Sequence, residues 1–190
     1  MAFGWEGKKI RLIPLEREKH FENCVRWLND PDVTQWTLIG DFPLTHLAEE
    51  DFFERLARQG ENTDVVLAIE TLEEEHIGVT GIHGVSYRHG VGTTGTIIGR
   101  KQLWGRGYGS DAVAVRTRYA FDVLGLRLLL SEVMAENVAS LKALQKSGYH
   151  ETGRVPARYW KRGCYRDAIQ LLVTREEWQA KTCPPTGSAP

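Results

Sequence analysis

The stretch that decides the fold lies in the middle of the chain and reads Gln102-Leu103-Trp104-Gly105-Arg106-Gly107-Tyr108-Gly109-Ser110-Asp111. It follows a strand pattern and opens a helix pattern, so the N–H groups at the helix start lack intrahelical partners. Glycines here let a bulky anion approach the main chain, where a Cβ atom would collide. The stretch therefore indicates either an anion-binding turn or a plain tight connector.

Two known phosphate-binding patterns fit this turn poorly. A P-loop has Lys and then Ser or Thr directly after its last glycine, whereas Gly109 is followed by Ser110-Asp111. A dinucleotide-binding turn has a third glycine where Ser110 stands and an acid about 20 residues further on, for which Glu132 is the candidate. That alternative is weak, and it predicts a nicotinamide-dependent dehydrogenase that binds NAD.

Hydrophobic periodicity on both sides of the turn gives the order of the elements. Helix boundaries are marked by Asp30-Pro31, by Thr45 and Asn137 as N-caps, and by Gly125 and Gly148 as stops. The strands predicted are 8–15, 64–70, 76–87, 93–99, 128–134, 149–155 and 164–174, and the helices begin near residues 20, 46, 108 and 138. The order β-α-α-β-β-β-α-β-α-β-β indicates an α+β domain built on a mixed sheet.

Composition limits the class of protein. The 190 residues fit one domain, assigned to 1–181, and the Pro-, Gly- and Ser-rich residues 182–190 are expected to be a disordered tail. A formal net charge of −1 gives no field that favours nucleic acid or a membrane. Three cysteines and six histidines show no metal-type spacing, so we expect no metal and a cytoplasmic protein.

A second motif follows the next strand and reads Asn137-Val138-Ala139-Ser140-Leu141-Lys142-Ala143-Leu144-Gln145-Lys146-Ser147-Gly148-Tyr149. Together the two motifs resemble the GNAT acetyltransferase superfamily, and the branch they resemble most is that of the RimJ/RimL-type ribosomal-protein N-terminal acetyltransferases. Gln102-x-x-Gly105-x-Gly107 matches the superfamily signature Gln/Arg-x-x-Gly-x-Gly/Ala, and the second block matches at Asn137, Ser140, Lys146, Gly148 and Tyr149. The resemblance covers about residues 8–178.

The resemblance implies an acyl-coenzyme A N-acyltransferase fold with a splayed central sheet and acetyl-coenzyme A as co-substrate. The strand ending at Gly99 would then leave the main chain of Ile97 and Ile98 free to pair with the pantetheine arm. The residues it assigns to the cofactor are Ile97, Ile98, Gly99, Gln102, Leu103, Trp104, Gly105, Arg106, Gly107, Tyr108, Gly109, Ser110, Asn137 and Lys146. Ser140 would lie near the thioester sulfur and act as the general acid.

Acetyl transfer to an amine needs an unprotonated nucleophile, a polarised carbonyl and a proton for the departing thiolate. The resemblance places Thr93 where many members carry a glutamate base, and Leu144 where many carry a tyrosine acid. The base is left open among Glu151, Asp167, Tyr159 and His83. An α-amine titrates near pKa ~8 and a lysine near ~10.4, so a missing base favours a terminal α-amine or an amino sugar.

The acceptor side is expected to include Trp36 and Phe42, which follow the first helix. The acceptor itself is a small-molecule amine or a protein N-terminus, and the chain is a monomer or a homodimer. The sequence leaves open which amine is acetylated and how long the acyl chain is. An alternative from another class is a catalytically silent acyl-coenzyme A-binding sensor.

Overall fold

The protein is described by a computed structural model that covers residues 5–58 and 63–182. Its strands are β1 (Trp5–Glu6), β2 (Ile10–Pro14), β3 (Val65–Thr71), β4 (His76–Ser86), β5 (Val91–Ile98), β6 (Leu128–Met134), β7 (His150–Lys161) and β8 (Cys164–Thr174). Its α-helices are α1 (Arg17–Leu28), α2 (Pro31–Thr34), α3 (His46–Ala57), α4 (Tyr108–Asp122), α5 (Val138–Lys146) and α6 (Arg175–Thr182).

These strands form one mixed sheet in the order β1-β2-β3-β4-β5-β6-β8-β7. All neighbours run antiparallel except β5 and β6, which are parallel and are joined through α4. The two parallel strands pair over three positions only, the last of which joins Thr93 to Leu130. Beyond it, β5 continues along β4 to Ile98 while β6 continues along β8 to Met134. The splayed sheet is therefore confirmed.

The two faces of the sheet are covered by different helices. The larger core lies under α4 and α5 and contains Leu129, Val133 and Leu144 together with Ala112, Val115 and Tyr119 of α4. A smaller cluster under α1 and α3 contains Phe21, Cys24, Val25 and Phe53. We call the α1/α3 side the front of the sheet and the α4/α5 side the back.

The short elements β1, α2 and α6 were not predicted from the sequence, and the strand β7 was predicted too short. Asp30 accepts a hydrogen bond from the Asp32 amide and Pro31 stands at the first helical position, so α2 forms where a loop was expected. The predicted strand 149–155 runs on to Lys161 because a bulge after Val155 lets it keep pairing with β8. The second helix is predicted from the sequence to end near Gln59, and that residue and residues 183–190 of the predicted tail lie outside the described residues. No helix within those described is long and apolar enough to cross a membrane.

Candidate active site

The splay opens a cleft between the β5 segment 94–98 and the β6 segment 131–134. The carbonyl of Leu130 accepts a hydrogen bond from Thr94 Oγ1 at 3.0 Å, and Ser131 Oγ donates to the Thr94 carbonyl at 3.3 Å. These bonds close the vertex. Past the vertex, the facing edges of the two strands have no ladder pairs with each other, so an extended ligand can pair with them.

One end of the cleft leads to the N-terminus of α4. Gly105 and Gly107 adopt φ angles of +74° and +88°, a left-handed conformation that favours glycine. Among the residues that the structure describes, no side chain caps this helix, so its first N–H groups remain available to an anion. Asp111, in the first turn, instead accepts the backbone N–H groups of Lys9 at 2.7 Å and Ile10 at 3.2 Å, which ties β2 to the helix. The turn is thus built as an open anion cradle.

The side chains of the cradle differ in exposure. Gln102 and Arg106 are exposed, Leu103 and Tyr108 pack against the larger core, and Lys9 lies over the Tyr108 ring at 5.3 Å. Gly109 and Ser110 are half-buried in the first turn of α4. Lys9 was not assigned to the cradle from the sequence, because it is distant in the chain and approaches the cradle only through the fold.

The main chain of Ile98 is not entirely free, in contrast to the sequence expectation. Trp104 Nε1 donates a hydrogen bond to the Ile98 carbonyl at 2.8 Å, with the indole 40% exposed. A ligand that pairs with this carbonyl has to share it with the indole or displace it. Gly99, at the end of this segment, lies so close to the buried Trp27 that a Cβ atom would stand 1.9 Å from its ring.

The second motif forms the other wall of the cleft. Asn137 caps α5 by accepting the Ser140 N–H at 3.2 Å, while Ser140 is half-buried and its hydroxyl has no hydrogen bond to another described residue. Lys146 is exposed in the last turn of α5. Leu144 is 3% exposed and packs in the larger core, so it does not face solvent as an acid would. The free hydroxyl of Ser140 is compatible with proton donation.

Glu132 lies on the front of β6, two residues past the vertex. Its carboxylate accepts hydrogen bonds from the Tyr159 hydroxyl, from Arg158 Nε at 3.3 Å and from Gln170 Nε2 at 3.2 Å. Desolvation raises the pKa of Glu132, but these three donors outweigh it and hold the pKa below its ordinary value. Sequence reasoning considered Glu132 only as a nucleotide ligand, although its place at the end of a central strand was the available signal.

The candidate bases from the sequence are scattered. His83 lies on β4 and contacts Asp64 at 3.3 Å, and Glu151 is exposed. Thr93, which stands where many members carry a glutamate base, is also exposed. Asp167 accepts the Ala157 N–H and binds Arg154, while Tyr159 is the one of the four candidates that contacts Glu132.

The two predicted acceptor residues lie on the loop between α2 and α3. Trp36 is half-buried, and the Arg166 guanidinium lies 5.5 Å from its ring on the front of β8. Phe42 is 87% exposed. Beside it, Asp41 accepts a hydrogen bond from the buried Lys161 Nζ at 2.6 Å, which also donates to the Ile39 carbonyl. The loop is thereby held against the β7–β8 hairpin.

Within residues 5–58 and 63–182, no group of His, Cys, Asp and Glu side chains has a metal-binding arrangement. The splayed main chain, the left-handed glycines and the uncapped helix fit an extended ligand that carries a diphosphate. This is the site that the resemblance to acyl-coenzyme A N-acyltransferases predicts.

The family model of the acetyltransferase (GNAT) domain matches residues 9–150, and the chain belongs to that family. It is 28% identical to the Bacillus licheniformis uncharacterized N-acetyltransferase p20, over 90% of this chain and 96% of that one. Its fold is similar to that of the Vibrio cholerae spermidine N-acetyltransferase solved with CoA and spermine, with a TM-score of 0.81, 18% identity, and coverage of 89% and 97% of the two chains. It is also similar to a GCN5-related N-acetyltransferase from Brucella melitensis, with a TM-score of 0.73, 22% identity, and coverage of 95% and 82%.

These relatives indicate an acetyl-coenzyme A-dependent N-acetyltransferase. The silent acyl-coenzyme A sensor and the NAD-dependent dehydrogenase have no counterpart among them.

Proposed function

We propose that this acetyltransferase modifies a primary amine that carries a single positive charge, such as a protein N-terminus, an amino sugar or another small amine. The amine attacks directly in a ternary complex, in an enzyme of the RimJ/RimL-like branch that works in the cytoplasm as one domain over residues 1–181. The observation that carries the proposal is the cleft, which joins the open cradle of α4 to Glu132 on the front of the sheet.

The donor side of the reaction is assigned to main-chain groups. Ile98 pairs with the pantetheine arm, flanked by Ile97, which lies in register with Val79 of β4, and by Gly99, whose N–H donates to the Ile77 carbonyl. The turn from Gln102 to Ser110 binds the diphosphate through backbone N–H groups. Asn137 and Lys146 complete the cofactor contacts from α5. Ser140 gives a proton to the thiolate when the C–S bond breaks.

The acceptor side is assigned to Glu132 with Trp36 and Phe42. A carboxylate whose pKa is lowered stays ionised at neutral pH, so Glu132 is suited to attract an ammonium and is a weak proton acceptor. The acceptor amine must therefore have a pKa low enough for part of it to be unprotonated at neutral pH, which favours an α-amine over a lysine.

Charges around the acceptor side argue against a polyamine. Each acidic side chain there already contacts a basic one: Glu132 with Arg158, Glu136 with Arg166, Asp41 with Lys161, Asp167 with Arg154, and Asp30 and Asp32 with Lys101. A second ammonium group finds no unpaired carboxylate among these residues and meets cations already in place. An acceptor with one ammonium avoids this repulsion.

The test is a thiol-release assay with acetyl-coenzyme A over α-amino peptides, amino sugars, spermidine and lysine peptides at neutral pH. We expect release with a singly charged amine and little with spermidine or lysine. Glu132→Gln should lower kcat/KM for the acceptor by roughly 100-fold, while Glu136→Gln, a matched change at an exposed pair, should alter it less than about threefold.

Tight acetyl-coenzyme A binding without thiol release for any amine would contradict the transferase assignment of this site. Faster acetylation of spermidine than of every monoamine would leave the enzyme in place and overturn the single-charge proposal.

A further inference from the structure

A β-bulge in β7 lies directly beside Glu132. Val155 pairs with Ala168 and Tyr159 pairs with Arg166, so the three residues 156–158 stand opposite Asp167 alone. Within this bulge Ala157 has φ +50°, a left-handed conformation that non-glycine residues rarely adopt. Bulges of this kind re-aim side chains and are frequent next to active sites.

Asp167 holds the bulge in place. Its Oδ1 accepts the Ala157 N–H at 2.8 Å, and its Oδ2 accepts Arg154 Nε at 2.9 Å. Its backbone carbonyl accepts the Ala135 N–H at 3.0 Å, which fixes β8 to the end of β6. One residue thus links the bulge to the strand that carries Glu132.

The bulge decides which side chain reaches Glu132. In a regular ladder Ala157 would stand opposite Arg166, and Tyr159 would stand opposite Cys164, two residues nearer the hairpin tip. Two residues of strand correspond to about 7 Å, which would take the Tyr159 hydroxyl out of contact with Glu132. With the bulge present, both Tyr159 and Arg158 donate hydrogen bonds to that carboxylate.

We propose that Asp167 is a positioning residue for the acceptor site, and that through the bulge it holds Tyr159 against Glu132 so that the Tyr159 oxygen receives the amine. This rests on the proposed function. The Tyr159 hydrogen is directed to Glu132 and its oxygen also faces the Arg158 guanidinium. One lone pair of that oxygen is left to accept an N–H group of the acceptor.

The proton balance follows from this pair. The amine nitrogen bonds to the thioester carbonyl carbon and then carries an extra proton. Tyr159 accepts that proton as its own phenolic proton moves to Glu132, which, as a weak base, does not retain the proton but passes it directly to solvent. When the C–S bond breaks, the thiolate takes a separate proton.

The experiment compares Asp167→Ala, Asp167→Asn, Tyr159→Phe and the double variant Asp167→Ala/Ala157→Gly by steady-state thiol release and by acetyl-coenzyme A titration. We expect Asp167→Ala and Tyr159→Phe to lower kcat/KM for the acceptor by roughly 100-fold, with the affinity for acetyl-coenzyme A unchanged. Asp167→Asn should keep most activity, because its amide oxygen still accepts the Ala157 N–H. The Ala157→Gly change removes the Cβ that disfavours the left-handed conformation, so the double variant should regain activity.

The matched control is Arg154→Ala, which removes the ion pair of Asp167 and leaves the Ala157 hydrogen bond. It should change kcat/KM less than about threefold, as expected for an exposed pair. If Arg154→Ala is as impaired as Asp167→Ala, or if activity is restored neither in Asp167→Asn nor by adding Ala157→Gly, Asp167 is a general stabiliser and the inference is wrong. Full activity of Tyr159→Phe also overturns it. Absence of thiol release from the unmodified enzyme would count against the proposed function instead.

Discussion

At the scale of single residues, two histidines, His20 and His76, are buried side by side. The Glu16 N–H donates to His20 Nδ1 at 2.7 Å, so the His20 proton lies on Nε2, which faces Glu70 at 3.3 Å. His76 Nε2 contacts the Gly78 carbonyl at 3.0 Å, and its Nδ1 faces Asn23 at 3.1 Å. Burial is the main reason that the pKa of His76 is lowered to about 4.

This lowered pKa predicts acid sensitivity. The unfolded chain takes up a proton at His76 below pH ~6.5 whereas the folded chain resists until about pH 4, so stability falls as pH drops through that window. The loss should reach about 3 kcal/mol. Urea unfolding at pH 7.5 and at pH 5 should show a smaller difference for His76→Gln than for the unmodified protein. The exposed His89→Gln is the control, and an unchanged difference in His76→Gln would contradict the prediction.

Gly99 gives a second prediction at this scale. Gly99→Ala should lower the free energy of unfolding by about 1–3 kcal/mol, because its Cβ would overlap the buried Trp27 ring. Gly109→Ala is the control, since its Cβ would stand 3.5 Å from Ile98 Cγ1 in ordinary contact and inside a helix. Urea midpoints measure the stability of both variants. Equal midpoints would show that the Trp27 ring can move away from the added Cβ at no cost in stability.

At the scale of elements, the loop between α2 and α3 depends on one buried lysine. Lys161 is 2% exposed and donates to Ile39 and Asp41 on the loop. Lys161→Met keeps the apolar stem but removes charged hydrogen bonds worth about 1.5–3 kcal/mol. Limited proteolysis should therefore cut the loop at least about tenfold faster in this variant.

Arg162→Met serves as the control, because Arg162 is exposed and contacts the Pro31 carbonyl outside the loop. Equal cleavage rates in both variants would mean that Lys161 does not hold the loop against the β7–β8 hairpin.

At the scale of the whole molecule, charge is balanced. The formal net charge is −1, and the acidic and basic side chains around the acceptor side are paired with each other. Without a net field, association of the acceptor should depend weakly on salt. With acetyl-coenzyme A saturating, kcat/KM for a monoamine should change less than about twofold between about 0.1 and 1 M NaCl, over which the Debye length falls from about 10 to 3 Å. A steep fall with salt would indicate an attractive field at the acceptor site.

The sequence by itself determined the parts of this protein that local physics controls. The glycine turn, the caps at Thr45 and Asn137 and the strand of residues 128–134 follow from backbone conformation and hydrophobic period, and the structure confirms them. The family also follows, because two motifs with fixed spacing lie in one element order.

Only the tertiary structure decided the acceptor side. Glu132, Tyr159 and Asp167 come from three strands, and a register shift of β7 that no local pattern marks brings the first two into contact. The indole of Trp104 on Ile98 and the buried Lys161 beneath the loop also depend on residues distant in the chain. Long-range pairing register is set by the packing of the whole sheet, so local patterns in the sequence could not supply it.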